Sequence, residues 1–238
     1  MDCPVSIAIE TSCRLGGVAL GAGAELLAEV GFDAASRHAA QLVSRLSELL
    51  GARDLRPSDV DEVYVSAGPG SFTGTRVAVT VARMMAQTVG GLRVVSVPTT
   101  AAIAEGVRGL DWDRLGVILD AREGLVHATT FVRRGETVEP DGPEGVMTPE
   151  AYLAAAGDSV RLIGEGLAYH EMPRELILAP DALGEAPHLP RAGGVWRVGR
   201  KMAEAGQFTE YHRIEPVYCR KPEAVRAWER KHGREMPG

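Results

Sequence analysis

The first six regular positions, V-S-I-A-I-E from Val5 to Glu10, alternate β-branched residues with small or polar ones between Pro4 and the polar Thr11-Ser12-Cys13 turn. This pattern predicts a strand that ends in a carboxylate and two hydroxyls. Residues 16–20 and 24–31 are two further short apolar runs, and the glycines of Gly21-Ala22-Gly23 allow the positive φ of a tight hairpin. The chain is therefore expected to open with three antiparallel strands. From Arg37 to Leu50 the apolar positions Ala39, Leu42, Val43, Leu46, Leu49 and Leu50 recur at a spacing of three and four, one stripe of a helix that Ser36 caps and Gly51 ends. A strand at 63–66, a glycine turn at 68–71, a helix at about 73–89 and a strand at 94–97 follow, and Pro98 opens another helix.

Near Leu115 the series begins again. Residues 115–120 and 125–132 read as strands, 136–146 as a weaker one, Thr148-Pro149-Glu150 as a helix start, 160–163 as a strand and 195–205 as a helix. The approximate repeat predicts an α/β protein of two stacked lobes, residues 1–105 and 106–219, with a polar tail at 220–238 that is helical from Pro222. The length of 238 residues suits one large domain or two small lobes, and 45% hydrophobic with 24% charged residues argues against disorder.

Charge narrows the functional classes. With 26 basic against 32 acidic residues the net charge is -6, and the surplus of basic groups is confined to the tail. An acidic body is poor material for a general nucleic-acid binder, which needs a field that releases counterions from phosphate. The tail's Arg220, Lys221, Arg226, Arg230, Lys231 and Arg234 read first as a solvated charged end, with local contact to nucleic-acid phosphate as the alternative. Three scattered cysteines, Cys3, Cys13 and Cys219, form no disulfide framework and no C-x-x-C pair, which fits a reducing cytoplasm. No basic stretch precedes a long apolar run, and the most apolar window, 77–92, is broken by Arg83 and Gln87, so neither a signal peptide nor a membrane span is expected.

The sharpest chemical signal is G-P-G-S-F-T-G, Gly68 to Gly74. Glycines at a strand end permit a tight turn, and the amides of Ser71, Phe72, Thr73 and Gly74 then open a helix whose unpaired N–H groups and dipole favour an anion. The alternative is a turn in which Ser71 or Thr73 caps its own helix, and no lysine follows the last glycine as a Walker loop requires. Glu10 with Thr11, and Asp120 in L-D-A-R-E-G, occupy equivalent places in the repeat. Two such carboxylates could hold a magnesium ion and nucleotide phosphates, or merely cap turns and pair with an arginine such as Arg122. The helix after the glycine turn has two apolar rows, Val77, Val81, Met84, Thr88 and Ala78, Ala82, Met85, Val89, which cannot both face one sheet easily. One row faces another chain, or the helix is buried in its own core. Histidines 38, 127, 170, 188, 212 and 232 are never three or four apart, so no helix presents a metal-binding pair, and no G-x-S-x-G elbow or cysteine nucleophile motif is present.

Taken together, the opening A-I-E-T-S, the serine-arginine-histidine before the first helix, the glycine turn with its following T-R, V-I-L-D-A-R-E-G and the late E-P-V-Y-C-R closely resemble the bacterial TsaB family, also called YeaZ, over about residues 5–220. The resemblance implies a two-lobed fold of the actin, sugar kinase and Hsp70 type with duplicated β-β-β-α-β-α lobes. It implies a duplicated enzyme that has become a partner: similar to the catalytic subunit TsaD but without its metal-binding histidines, and with no activity expected alone. The implied role is to bind TsaD in the complex that, with the ATPase TsaE, forms N6-threonylcarbamoyladenosine beside the anticodon of tRNAs reading codons that start with A. A homodimer is implied when TsaD is absent, and tRNA is met through the complex.

By the same resemblance the contact uses the first two helices, with His38, Leu42, Leu46, Val77, Val81, Met84, Met85 and Thr88 as its residues here. No tightly bound cofactor is implied. Weak binding of ATP or ADP with magnesium, at Glu10, Thr11, Gly68, Gly70, Ser71, Thr73, Gly74 and Asp120, remains open. Two departures stand out: Glu10 replaces the aspartate of D-T, which weakens the case for a kinase-like magnesium site, and Cys219 replaces the leucine of Y-L-R. An independent ATP-dependent phosphotransferase of the same fold is the alternative; a protease comes last, for want of a metal pair or nucleophile.

Overall fold

In β1 (Val5–Glu10), Ile7 and Ile9 turn to one side of a sheet and Ser6 and Ala8 to the other, and both sides are covered by helices. The computed structural model describes residues 3–33, 38–135, 137–157, 159–183, 188–219 and 223–233. The predicted roles of Ser36, Arg37, Arg220, Lys221, Pro222 and Arg234 lie outside the described residues, as do the side chains of His38, Ala39 and Arg230.

β1 pairs antiparallel with β2 (Leu15–Ala22), which pairs antiparallel with β3 (Glu25–Asp33). On its other side β1 runs parallel to β4 (Glu62–Gly68), and β4 runs parallel to β5 (Arg93–Pro98), giving the order β3-β2-β1-β4-β5. The side bearing Ile7, Ile9, Val18, Leu20, Val63 and Val65 is closed by Leu42, Leu46, Leu49 and Leu50 of α1 (His38–Gly51), and by Ala78, Val79 and Ala82 of α2 (Phe72–Thr88). Each leucine buried here contributes about 1.5–3 kcal/mol.

The second sheet repeats the order with one strand fewer. β6 (Arg114–Arg122) lies between β7 (Leu125–Arg134), antiparallel, and β9 (Arg161–Ile163), parallel. β8 (Thr137–Met147) forms the outer edge, interrupted by Pro140, Gly142, Pro143 and Gly145 and largely exposed, which accounts for its weak signature in the sequence. One side of this sheet is covered by α3 (Thr99–Gly106) through Ile103 and Ala104, the other by α4 (Pro149–Ala156) through Tyr152 and Ala156.

Helices from each half also reach the sheet of the other. α3, from the first half, serves both sheets, with Ile103 and Ala104 in the core of the second and Ala102 in that of the first, while α5 (Ala192–Glu204), from the second half, packs on the first through Ala192, Val195 and Trp196. Residues that follow return there too: Ile214 is in the core with α1 and α2, and the Thr209 amide donates to the Val94 carbonyl at 2.8 Å. The reason is size. β1 and β2 offer small residues on the α5 side, so the Trp196 ring lies where a Cβ on Gly21 would stand, and its Nε1–H donates to Ser6 Oγ at 2.9 Å. α3 and α5 meet each other, and there the buried Glu105 carboxylate faces Lys201 at 3.1 Å and Arg108 at 3.7 Å. None of the described helices is long and apolar enough to cross a membrane.

Candidate functional site

The fold brings the A-I-E-T-S strand end and the glycine turn into contact. Ser71 caps α2 by accepting from the Gly74 N–H at 3.3 Å, and its own N–H donates to the Ser12 carbonyl at 2.6 Å. Thr11 Oγ1 donates to the Gly74 carbonyl at 2.7 Å. A Cβ on Gly70 would collide with the Ser12 carbonyl oxygen, and one on Gly74 with that of Thr11, both closer than 3.0 Å. Gly68, at φ +107°, is equally tight against the Val217 carbonyl, in the late E-P-V-Y-C segment. These glycines are required by close approach of the chain to itself, and two of the amides expected at an anion are engaged internally. That arrangement is the self-capped alternative; Thr73 is exposed beside it.

Glu10 is fully buried. Its Oε1 accepts from the Ser12 N–H and from Ser12 Oγ at 2.6 Å, whereas Oε2 has no hydrogen-bond partner among the described residues. Burial pushes its pKa up against those hydrogen bonds, and the nearby charge of Glu165 adds to the rise. Asp120, at the end of β6, accepts from the Arg122 N–H at 2.9 Å, faces its guanidinium at 3.3 Å, and bonds His170 Nε2 at 3.1 Å. Glu165 is held high by burial first and then by the Asp120 charge, with Arg122 and Arg14 opposing. The charge of Glu165 thus reaches Glu10, and that of Asp120 reaches Glu165. Among the described residues no group of three or more His, Cys, Asp or Glu is arranged to hold a metal ion. Glu165 and His170 escaped the sequence reading because they sit in irregular chain, where no periodicity marks them; only the G-E-G after β9 was available as a cue.

The raised Glu10 gives a prediction with a definite sign. The folded carboxyl holds its proton more tightly than the unfolded one, so folding loses stability as pH rises from the ordinary glutamate value through the raised folded value. Glu10→Gln keeps an oxygen for Ser12 and removes this term. Denaturant midpoints of both proteins across pH are expected to diverge in the variant's favour as pH rises through that window; parallel curves would show that Glu10 is not the buried acid described.

Of the expected contact residues, Met84 is 59% exposed and Thr88 is exposed, while Val77, Val81 and Met85 are partly buried against the core. Leu42 and Leu46 are corrected: at 0% and 8% exposure they face their own sheet. Val43, one residue round the helix and 52% exposed, takes the outward place on α1. At the start of α2, Phe72 stacks on Tyr218 with ring centroids 4.8 Å apart, and Arg76 covers Phe72 while donating to the Tyr218 hydroxyl at 2.7 Å. In the tail, α6 (Glu223–His232) is helical as expected, and Arg226 is bonded to both Glu123 oxygens at 2.6 Å.

Two sheets with one shared strand order, helices on both sides of each and carboxylates where the lobes meet define a two-lobed fold of the actin, sugar kinase and Hsp70 type. The structure of an uncharacterized protein with similarity to peptidase YEAZ from Pseudomonas aeruginosa matches it with a TM-score of 0.76 at 27% identity, covering 91% of this chain and 100% of that one. A family model, TsaD: tRNA N6-adenosine threonylcarbamoyltransferase, matches residues 31–228, and the chain belongs to that family. Similar proteins include the tRNA threonylcarbamoyladenosine biosynthesis protein TsaB of Bacillus subtilis (strain 168), 27% identical over 229 residues that cover 93% of this chain and 96% of that protein. The TsaB of Escherichia coli (strain K12) is 26% identical over 207 residues, 83% of this chain and 86% of that one.

Proposed function

We propose that the chain acts in tRNA threonylcarbamoyladenosine biosynthesis as a non-catalytic partner of TsaD. The observation that carries this is the near full-length likeness to two proteins named TsaB. The site chemistry agrees: the glycine turn is packed on its own chain, and Glu10 is buried on Ser12. A phosphotransferase would need that turn open to phosphate, so the internal capping weighs against the alternative.

In this reading the exposed side of α1 and α2, with Val43, Met84 and Thr88 outward and Val77, Val81 and Met85 beneath, seats TsaD, or a second copy of the chain when TsaD is absent. Burying such side chains contributes roughly 25 cal/mol per Å² of apolar area before the cost of association. TsaE and tRNA join through the complex, any nucleotide binding by this chain's own cleft is weak, and the setting is the cytoplasm. The test is reconstitution of tRNA modification with TsaD, TsaE, the threonylcarbamoyl adenylate and tRNA. Omitting this chain is expected to cut product formation severely; an undiminished rate without it would sink the proposal.

A further inference from the structure

A half-open cleft of about 230 Å³ lies between the two sheets and shares no residue with the Glu10, Asp120 and Glu165 group. Gly68 at the end of β4, Ser96 on β5 and Thr100 in the first turn of α3 form one wall, His127 on β7 and Glu144 on β8 the other, and Val217 lines it as well. At ~30 Å³ for each water, the space suits about eight waters or an organic molecule of that size.

The register of β7 and β8 explains why the two polar residues meet. Thr129 stands opposite Glu144, and His127 is two residues before Thr129, so all three side chains share one face, with His127 and Glu144 on a diagonal. His127 Nδ1 is buried without a hydrogen-bond partner among the described residues, and so is Thr129 Oγ1 on the same face. Native proteins seldom leave such atoms unsatisfied unless a water, an ion or a ligand completes them. Burial pushes the imidazole pKa down against the attraction of Glu144, so the ring is neutral at pH 7 and one of its nitrogens offers a lone pair.

The lining selects the ligand's charge. It contains a carboxylate, an imidazole lone pair and two hydroxyls, and no lysine or arginine, so an anion would meet Glu144 with nothing to balance it. A bare metal ion is not favoured either, because no group of three or more His, Cys, Asp or Glu among the described residues is arranged to hold one. Ala67, Pro69 and Val97 supply apolar surface for a short carbon chain. We infer that this cleft binds a small organic ammonium ion of a few carbons, its N–H groups directed to the Glu144 carboxylate and the His127 ring. Since both sheets line the cleft, occupancy also ties the lobes together. This goes beyond the partner reading and can be tested on the isolated chain.

The experiment is ring-nitrogen NMR of the full chain labelled at histidine, with the His127 signals assigned from a His127→Gln spectrum. Ethanolamine serves as the probe and ethylene glycol as its uncharged counterpart of similar size. Ethanolamine is expected to shift the His127 signals saturably and ethylene glycol to leave them in place. Glu144→Gln, at an exposed position on an edge strand and so expected to fold, should weaken the ethanolamine response about tenfold or more. Signals that ignore ethanolamine, that move equally with ethylene glycol, or that titrate unchanged in Glu144→Gln each overturn the inference, and a cleft filled by water alone would give the first of these.

Discussion

Gly74→Val is expected to lower the melting temperature by about 6–12 °C. The added Cβ would be driven into the Thr11 carbonyl oxygen at well under 3.0 Å, and that oxygen belongs to backbone, which cannot swing aside as the end of a flexible side chain could. Overpacking of this kind costs roughly 3 kcal/mol, and for a chain of this size each kcal/mol shifts the transition by about 2–4 °C. The displacement also breaks the bond from Thr11 Oγ1 to the Gly74 carbonyl and the bond from the Ser71 N–H to Ser12, so β1 and α2 separate where they meet. Gly51→Ala is the control: it lies at the end of α1 with nothing within 4 Å of an added Cβ, and alanine favours a helix over glycine. Thermal unfolding of the three proteins decides the point. A Gly74→Val transition that coincides with that of the parent protein would mean that the turn does not rest on the first strand.

The glycine turn also shows how far the sequence can be read. Its glycines were legible as positions where backbone must come close to something, but an incoming phosphate and an incoming strand end impose the same demand, and only the fold shows that Ser12 arrives. β1, β2 and β3 were legible because alternation and the Gly21-Ala22-Gly23 turn are local, and the stripe on α1 because three-and-four spacing is local too. Which sheet a helix covers is not local. α3 and α5 carry no mark of reaching the other lobe's sheet, since that follows from how closely Trp196 fits over Gly21 and how α3 meets Leu115 and Val117. Leu42 and Leu46 belong to the stripe that covers the sheet, and Val43 stands about 100° round the helix from Leu42, a difference the helical period contains but a list of apolar residues hides. Asp120 was legible from the repeat. Its partner His170 and its neighbour Glu165 were not, because what joins them is the packing of irregular chain against the end of β6.

Met84→Asp is expected to abolish association with TsaD from the same organism while leaving the fold intact. The side chain is 59% exposed in the isolated chain, so a carboxylate there is hydrated and should change stability by no more than about 0.5 kcal/mol. Covered by an apolar partner surface, the same carboxylate loses its water without gaining a counterion. A central contact of this kind is worth about 2–4 kcal/mol, or roughly 30–1,000-fold in affinity. Leu42→Asp makes the opposite case, because that position is fully buried against the sheet, and a charge there is expected to unfold the first lobe before any partner is met. Light scattering after gel filtration, for each variant alone and mixed with TsaD, separates the outcomes. A heteromeric peak for the parent chain that is missing for a well-folded Met84→Asp places the contact on α2; a peak that survives the substitution at full affinity removes α2 from it. If the parent chain and TsaD elute independently, the partner reading itself fails, and the packed glycine turn and the buried Glu10 would then have to be explained by a function of this chain alone.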